Sequence, residues 1–272
     1  MPEQTPAERG LDWQRGIWNR IAEVYRDEID RRFVPVVEHA IALAALRPGD
    51  LVLDLGCGTG AVTAGAAIAV SPGGSCTGVD ISVEMLTAAE RLARATGLSN
   101  VAFREGRAEA LPARDGEFDA IIATLSLMYA IDRSAAAHEC ARVLRQGGRF
   151  VAAVWGGPDV CDLVRFQSTV GRFAPAPPVP GVGPGALADP SPFVEQLTQA
   201  GIVVRVELAD CDFVFDSLDS AWDIVASVTA AQMTADGIAQ AKAAIRDEMW
   251  PDPEHPRAFR NQALFLVGAR AT

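Results

Sequence analysis

The sequence predicts an α/β protein built on a doubly wound, mostly parallel sheet of seven strands, with helices ahead of it and helical insertions forming a lid. Three observations carry this. Short apolar runs of strand length alternate with helical patterns along the chain. One of them, with Val52, Leu53 and Leu55, passes directly into Gly56, Gly58 and Gly60. The Ala-rich stretch 61–70 then reads as a helix. Glycines permit positive φ and close approach of a ligand to the main chain. The first N–H groups of the following helix point back at the turn, which is a nucleotide-binding layout.

Ahead of the first strand, Trp13, Ile17, Trp18, Ile21, Val24, Tyr25 and Ile29 recur at helical spacing and predict one amphipathic helix over residues 12–30, lying over the site. A second helix, 34–46, stops before Arg47-Pro48-Gly49. Residues 75–79 form the second strand, and Asp80 ends it about two dozen residues beyond the first glycine, where a carboxylate can accept from both hydroxyls of a ribose. Ser82 can cap the next helix, and Met85 on its first turn can lie against a base. Strands follow at 101–104 and 118–124, the latter with Leu125, Ser126, Met128 and Tyr129 at its C-terminal end, where doubly wound sheets bind ligands. A helix over 133–144 leads through Gly147-Gly148 into a fifth strand, 149–155.

Residues 156–192 are rich in proline and glycine and read as a mobile connection over the cleft, its Phe166 and Phe173 either anchoring it or closing on an apolar acceptor. A helix over 192–200, a sixth strand over 202–208, two helical stretches near 218–232 and 235–249, and a last strand over 263–269 complete the chain. The segmentation is therefore 1–48 cap helices, 49–156 ligand-binding core, 157–192 lid loop and 193–272 the rest of the sheet, with a pocket-forming insertion at 213–258, all in one compact domain. Trp222 and Trp250 of that insertion are expected either in a pocket wall or in ordinary core packing.

Gly56-Cys57-Gly58-Thr59-Gly60-Ala61 also fits the loose dinucleotide fingerprint, so the turn alone does not name the ligand. Asp54 favours a cation. Two like charges about 4 Å apart repel by roughly 4 kcal/mol at an effective dielectric near 20, which disfavours a pyrophosphate here. S-adenosylmethionine (SAM) carries an ammonium and a sulfonium and no phosphate.

The stretches 52–60 and 78–86, then Glu109-Ala110-Leu111-Pro112, Phe118-Asp119 and 143–149 are similar, in order, to the motifs of class I SAM-dependent methyltransferases, within these to the ubiquinone/menaquinone-biosynthesis type with its methyltransferase-11 domain. The resemblance covers residues 50–155. It implies a Rossmann-like SAM-methyltransferase fold, SAM as cofactor, and a cofactor site drawn from Tyr25, Asp54, Gly56, Cys57, Gly58, Gly60, Asp80, Ile81, Met85, Arg107, Ala108, Glu109 and Leu125. Tyr25 is expected either at the methionine end or in the core. Arg107 departs from the family, which usually has Asp there to accept from the adenine amino group. Main-chain groups near Ala108, with Glu109 as a substitute acceptor, are expected instead, and Arg107 stacks on the ring or turns to solvent.

No catalytic base stands out. Tyr25, Tyr129 and His255 are the candidates; His39 shares a helix side with Leu43 and Leu46, and His138 sits on a polar face. Methyl transfer to a small organic molecule at carbon, oxygen or nitrogen is the leading expectation. The rivals are an NAD(P)-dependent oxidoreductase and a SAM-binding protein that regulates or cyclises without methylating. A net charge of −11 argues against a nucleic-acid backbone as main partner. Five cysteines without C-x-x-C spacing indicate neither disulfide framework nor metal site and point to the cytoplasm. No signal peptide or membrane span is expected, and a homodimer is left open.

Overall fold

The computed structural model describes residues 4–272, the side chains of Ser227 and Val228 excepted; the first three residues of the expected 1–48 segment lie outside the described residues. The central sheet contains β1 (Leu51–Leu55), β2 (Ser75–Asp80), β3 (Val101–Glu105), β4 (Phe118–Thr124), β5 (Leu144–Trp155) and β6 (Ile202–Asp210). A small antiparallel pair, β7 (Phe213–Phe215) with β8 (Arg257–Phe259), stands apart, and β9 (Gln262–Arg270) returns to the main sheet. The order is β3-β2-β1-β4-β5-β9-β6, parallel throughout except that β9 runs antiparallel to both of its neighbours. The strand order reverses between β1 and β4, and a crevice opens at the carboxyl ends of such strands. Val52 and Leu53 of β1 and the run from Ala120 to Ala123 of β4 have no exposed surface, as expected of parallel strands covered on both faces.

The N-terminal region differs from the two separate helices expected. Helix α1 (Pro6–Val24), opened by a Thr5 capping box with Glu8, runs through a wide π turn at Tyr25–Ile29 into α2 (Asp30–Leu43) without a break. Pro35 sits inside α2. Its cost of roughly 3 kcal/mol is offset by side chains such as the fully buried Val36, whose burial contributes about 1.5–3 kcal/mol. Helix α2 lies across β4, β5 and β9. Helix α3 (Ala61–Ala69) follows the glycine turn, and α4 (Val83–Ala95), capped by Ser82, packs against α1. Helix α5 (Arg133–Val143) precedes β5.

The proline-rich stretch is not wholly a loop. Its prolines leave residues 159–174 free, and there α6 (Asp162–Gly171) forms, burying Leu163, Val164, Phe166 and Val170. Phe166 has no exposed surface and packs on Phe259 and Trp222, so it anchors this segment and does not close on a ligand. After α7 (Ser191–Gln199) and β6, the insertion folds as α8 (Leu218–Ala221), a second π turn at Trp222–Ala226, α9 (Ser227–Ala230) and α10 (Ala235–Glu248). Trp222 and Trp250 are core residues of this insertion: Lys242 stands 5.3 Å over the Trp222 ring, and Trp250 packs on Phe259.

Candidate active site

A cleft of about 760 Å³, its open mouth included, lies at the carboxyl ends of β1, β2 and β4. The glycine turn forms its floor. Gly56 and Gly58 hold φ of +71° and +53°, and the N–H groups of Gly56 and Cys57 both donate to the Val79 carbonyl, fixing the turn to β2. A side chain on Gly56 would meet the Cβ of Ser126 at 2.3 Å, so only glycine lets β1 and the segment after β4 approach this closely. Asp80 braces the turn from the other side. Its Oδ2 accepts from Gly58 N–H at 2.9 Å and its Oδ1 from Ser82 N–H at 2.9 Å, leaving lone pairs on both oxygens for a ligand. Helix α1 roofs the cleft: Ser82 Oγ donates to Asn19, Arg15 Nε to the Ile81 carbonyl, and Gln14 Nε2 to the Tyr129 carbonyl.

A smaller recess continues the cleft, sharing Tyr25, Gly56, Gly58, Thr124 and Leu125 with it and adding Asp30, Asp54 and the first turn of α3. Asp30 and Asp54 thus lie at this end, with Asp80 in the adjoining cleft. Asp54 is 1% exposed, and desolvation lifts its pKa to about 7 although Thr63 Oγ1 donates to it at 2.6 Å. Desolvation also lifts Asp30 to about 6, against a hydrogen bond from Thr59, and raises Asp80. None of the three has an ion-pair partner among the described residues. The Thr124 hydroxyl, also at this end, is buried without a partner among them. Unbalanced buried carboxylates fit a cationic ligand and disfavour a phosphate.

On its far side the cleft meets an apolar chamber of about 560 Å³, its openings included. Trp18, Tyr25, Leu125 and Tyr129 line both spaces and form the doorway. Trp18 packs edge-on against Tyr129 at 4.9 Å and Tyr25 at 6.2 Å. Burial raises both phenols well above their ordinary range, so their hydroxyls stay protonated.

The methyltransferase domain family model matches residues 53–152. Residues 53–152 are a methyltransferase domain. Nocamycin O-methyltransferase of Saccharothrix syringae is 34% identical over 186 residues, 68% of this chain and 64% of that protein. The chain spans about half to two thirds of the length of the curated relatives it matches, 47% to 64%. The crystal structure of YcgJ from Bacillus subtilis superposes with a TM-score of 0.63 at 24% identity, over 87% of this chain and 98% of that one. The [4+2]-cyclase SpnF superposes at 0.62 and 20% identity over 100% and 99%. These likenesses show the class I methyltransferase fold. SAM is the cofactor that goes with a methyltransferase domain of this kind.

The methyltransferase domain and the cap helix bring Tyr25, Gly56, Gly58, Asp80, Ile81, Met85, Arg107, Ala108, Glu109 and Leu125 to the main cleft, and Asp54 and Cys57 to the recess. Gly60 lines neither. It caps α3 at φ +93°, and an added Cβ would meet the Ala89 Cβ at 2.9 Å, so its role is helix packing. Glu109 is engaged in structure, one oxygen accepting the N–H groups of Ile131 and Asp132, which limits it as an adenine partner. Arg107 is exposed at the rim. His255 falls away from the site: its ring is 77% exposed and pairs with Asp252 on the surface, because the turn after α10 points outward. His39 packs on Phe265. The insertion does reach the chamber, through Phe213, Phe215, Ile224 and Val225, and not through its tryptophans. Sequence reasoning missed Asp30 and Thr124; Asp30 follows Tyr25 by five residues, a spacing that faces the same side only across a π turn.

Proposed function

We propose that this protein transfers a methyl group from SAM to a small organic acceptor at carbon, oxygen or nitrogen. The observation that carries the reading is the trio Asp30, Asp54 and Asp80, buried around the glycine turn with no salt-bridge partner among the described residues, Arg26 acting on Asp30 only from beyond ion-pair distance. An NAD(P) pyrophosphate would enter this negative field at a cost of several kcal/mol. The name of nocamycin O-methyltransferase supports a small organic acceptor.

SAM, when bound, supplies an electrophilic methyl: the acceptor's electron pair forms the new bond while the pair of the broken carbon–sulfur bond returns to sulfur. The chain's own work is positioning and exclusion of water. In this reading Asp80 receives the ribose hydroxyls, Asp54 and Asp30 face the ammonium, and Met85 lies against the adenine. Trp18, Leu125 and the two tyrosines close around the sulfonium and keep the transfer path dry. Tyr25 and Tyr129 stay protonated and do not serve as bases, so a hydroxyl or carbon acceptor arrives ionised, whereas an amine attacks with its lone pair and sheds its proton afterwards. Five unpaired buried thiols support a cytoplasmic setting.

Calorimetry tests the reading. S-adenosylhomocysteine is expected to bind one per chain, and Asp54→Asn to weaken it at least tenfold. Binding of NADPH without S-adenosylhomocysteine would overturn it. Conversion of an acceptor with no release of S-adenosylhomocysteine would instead establish a non-methylating catalyst on this fold.

A further inference from the structure

We propose that the apolar chamber receives a flat, largely apolar acceptor carrying its nucleophilic atom at one end and an anionic group at the other, the anion being held by Arg32. This rests on the methyl-transfer reading only for which end reacts.

The chamber is walled by Phe33, Trp155, Phe213 and Phe215, with Phe33 5.3 Å from Trp155 and Phe213 5.5 Å from Phe215. Each pair packs edge-on within itself, so the wall is a firm aromatic surface against which a planar body can stack. Against this lining one charged group is out of place. The Arg32 side chain is only 10% exposed, lies 4.7 Å over the Phe215 ring, and its Nε is buried without a hydrogen-bond partner among the described residues. A guanidinium N–H left unpaired in an apolar wall is costly, and an anion brought by a ligand removes that cost with a charge-assisted bond.

The local charge permits it. Arg32 Nη1 pairs with Glu28 at 3.0 Å, but Glu28 also serves Arg31, so the three groups together keep one positive charge. The buried Nε edge, not the Glu28 edge, is the part left without a partner. A second orphan, Oε1 of Gln167, lies where the chamber meets the outer cleft beneath the proline-rich loop, and offers an acceptor for a ligand O–H or N–H.

The distances set the ligand's length. Tyr25 stands at the doorway and Arg32 follows it by seven residues on one continuous helical run, a rise of roughly 10 Å. A bicyclic aromatic with its nucleophile and its anion on opposite ends spans that interval.

The test uses 6-hydroxy-2-naphthoate and its uncharged counterpart 6-hydroxy-2-naphthamide, titrated by fluorescence against the full chain with and without saturating S-adenosylhomocysteine. The naphthoate is expected to bind at least tenfold more tightly than the amide. Arg32→Gln is expected to abolish that ratio while leaving S-adenosylhomocysteine affinity within twofold. Arg32→Lys, which keeps charge but not the planar fork, is expected to retain part of it and serves if Arg32→Gln does not fold. Equal binding of the two compounds by the native chain, no binding of either, or an unchanged ratio in Arg32→Gln would each overturn the proposal. Failure of S-adenosylhomocysteine to bind would overturn the methyl-donor reading alone, because the naphthoate ratio is read in its absence as well.

Discussion

The carboxylate of Asp80 accepts the N–H of Gly58 at 2.9 Å, tying the end of β2 to the glycine turn after β1. One side chain thus holds the binding loop in shape and faces the cleft that the loop floors. Asp80→Asn exchanges one oxygen for an NH₂ group, so either Gly58 or Ser82 loses its acceptor. The expected outcome is a tenfold to hundredfold loss of S-adenosylhomocysteine affinity by calorimetry, roughly 1.4–2.8 kcal/mol, with a fall in melting temperature of several degrees.

The buried carboxylates make both stability and donor binding depend on pH. Asp54 titrates at about 7 and Asp30 at about 6 in the fold, against 3.8 for an ordinary aspartate. A raised pKa means that the folded state holds the proton more tightly, so this contribution to stability is full below about 3.8 and is lost as pH rises through 6 to 7. The ligand-free melting temperature is expected to fall across that window, and less so in Asp54→Asn. Affinity for the cationic donor runs the other way, rising with pH as the carboxylates ionise. Calorimetry in two buffers of different ionisation enthalpy at pH 6.5 is expected to show proton release on binding.

Gly56 and Gly49 separate strain from collision. Both hold positive φ, at +71° and +91°, but a Cβ on Gly56 strikes Ser126 at 2.3 Å whereas nothing lies within 4 Å of one on Gly49. Gly49→Ala is expected to cost about 1 kcal/mol in denaturant unfolding. Gly56→Ala is expected to cost at least about 2 kcal/mol and to abolish donor binding.

Asn261 is 1% exposed and links the lid to the insertion. Its Oδ1 accepts from Leu163 N–H at the start of α6, and its Nδ2 donates to the carbonyls of Cys211 and Phe259 beside the two-stranded pair. Asn261→Leu leaves these three backbone groups unpaired. A loss of about 3 kcal/mol is expected, roughly 6–12 °C in melting temperature, with donor affinity within twofold of the native value because Asn261 lines neither the cleft nor its recess.

What was legible in the sequence follows the range of the interactions involved. The glycine turn, Asp80 and the Ser82 cap declare themselves locally, because positive φ, a strand end and an N-cap each demand particular residues in place. The strands of the parallel core were legible for the same reason, as short apolar runs between turns. The insertion of β9 between β5 and β6 was not, since register across the sheet is set by partners far apart in the chain. Nor was the pair β7–β8, three residues each and joined only in space. The prolines around 156–192 hid α6 although Leu163, Phe166 and Val170 carry its spacing. Arg32 gave no signal, because an arginine on a helix ordinarily faces water and only the packing of the insertion encloses this one.

The π turn at Tyr25–Ile29 joins two arms of one helical run, and the cleft, the recess and the chamber all lie against it. Trp18 upstream of it lines the cleft and the chamber, Phe33 downstream of it lines the chamber and the recess, and the backbone between them never breaks. The widened turn is the fulcrum of a single beam. Deleting one residue at the pivot is expected to swing the two arms out of phase by roughly 100°, taking Trp18 or Phe33 out of these walls.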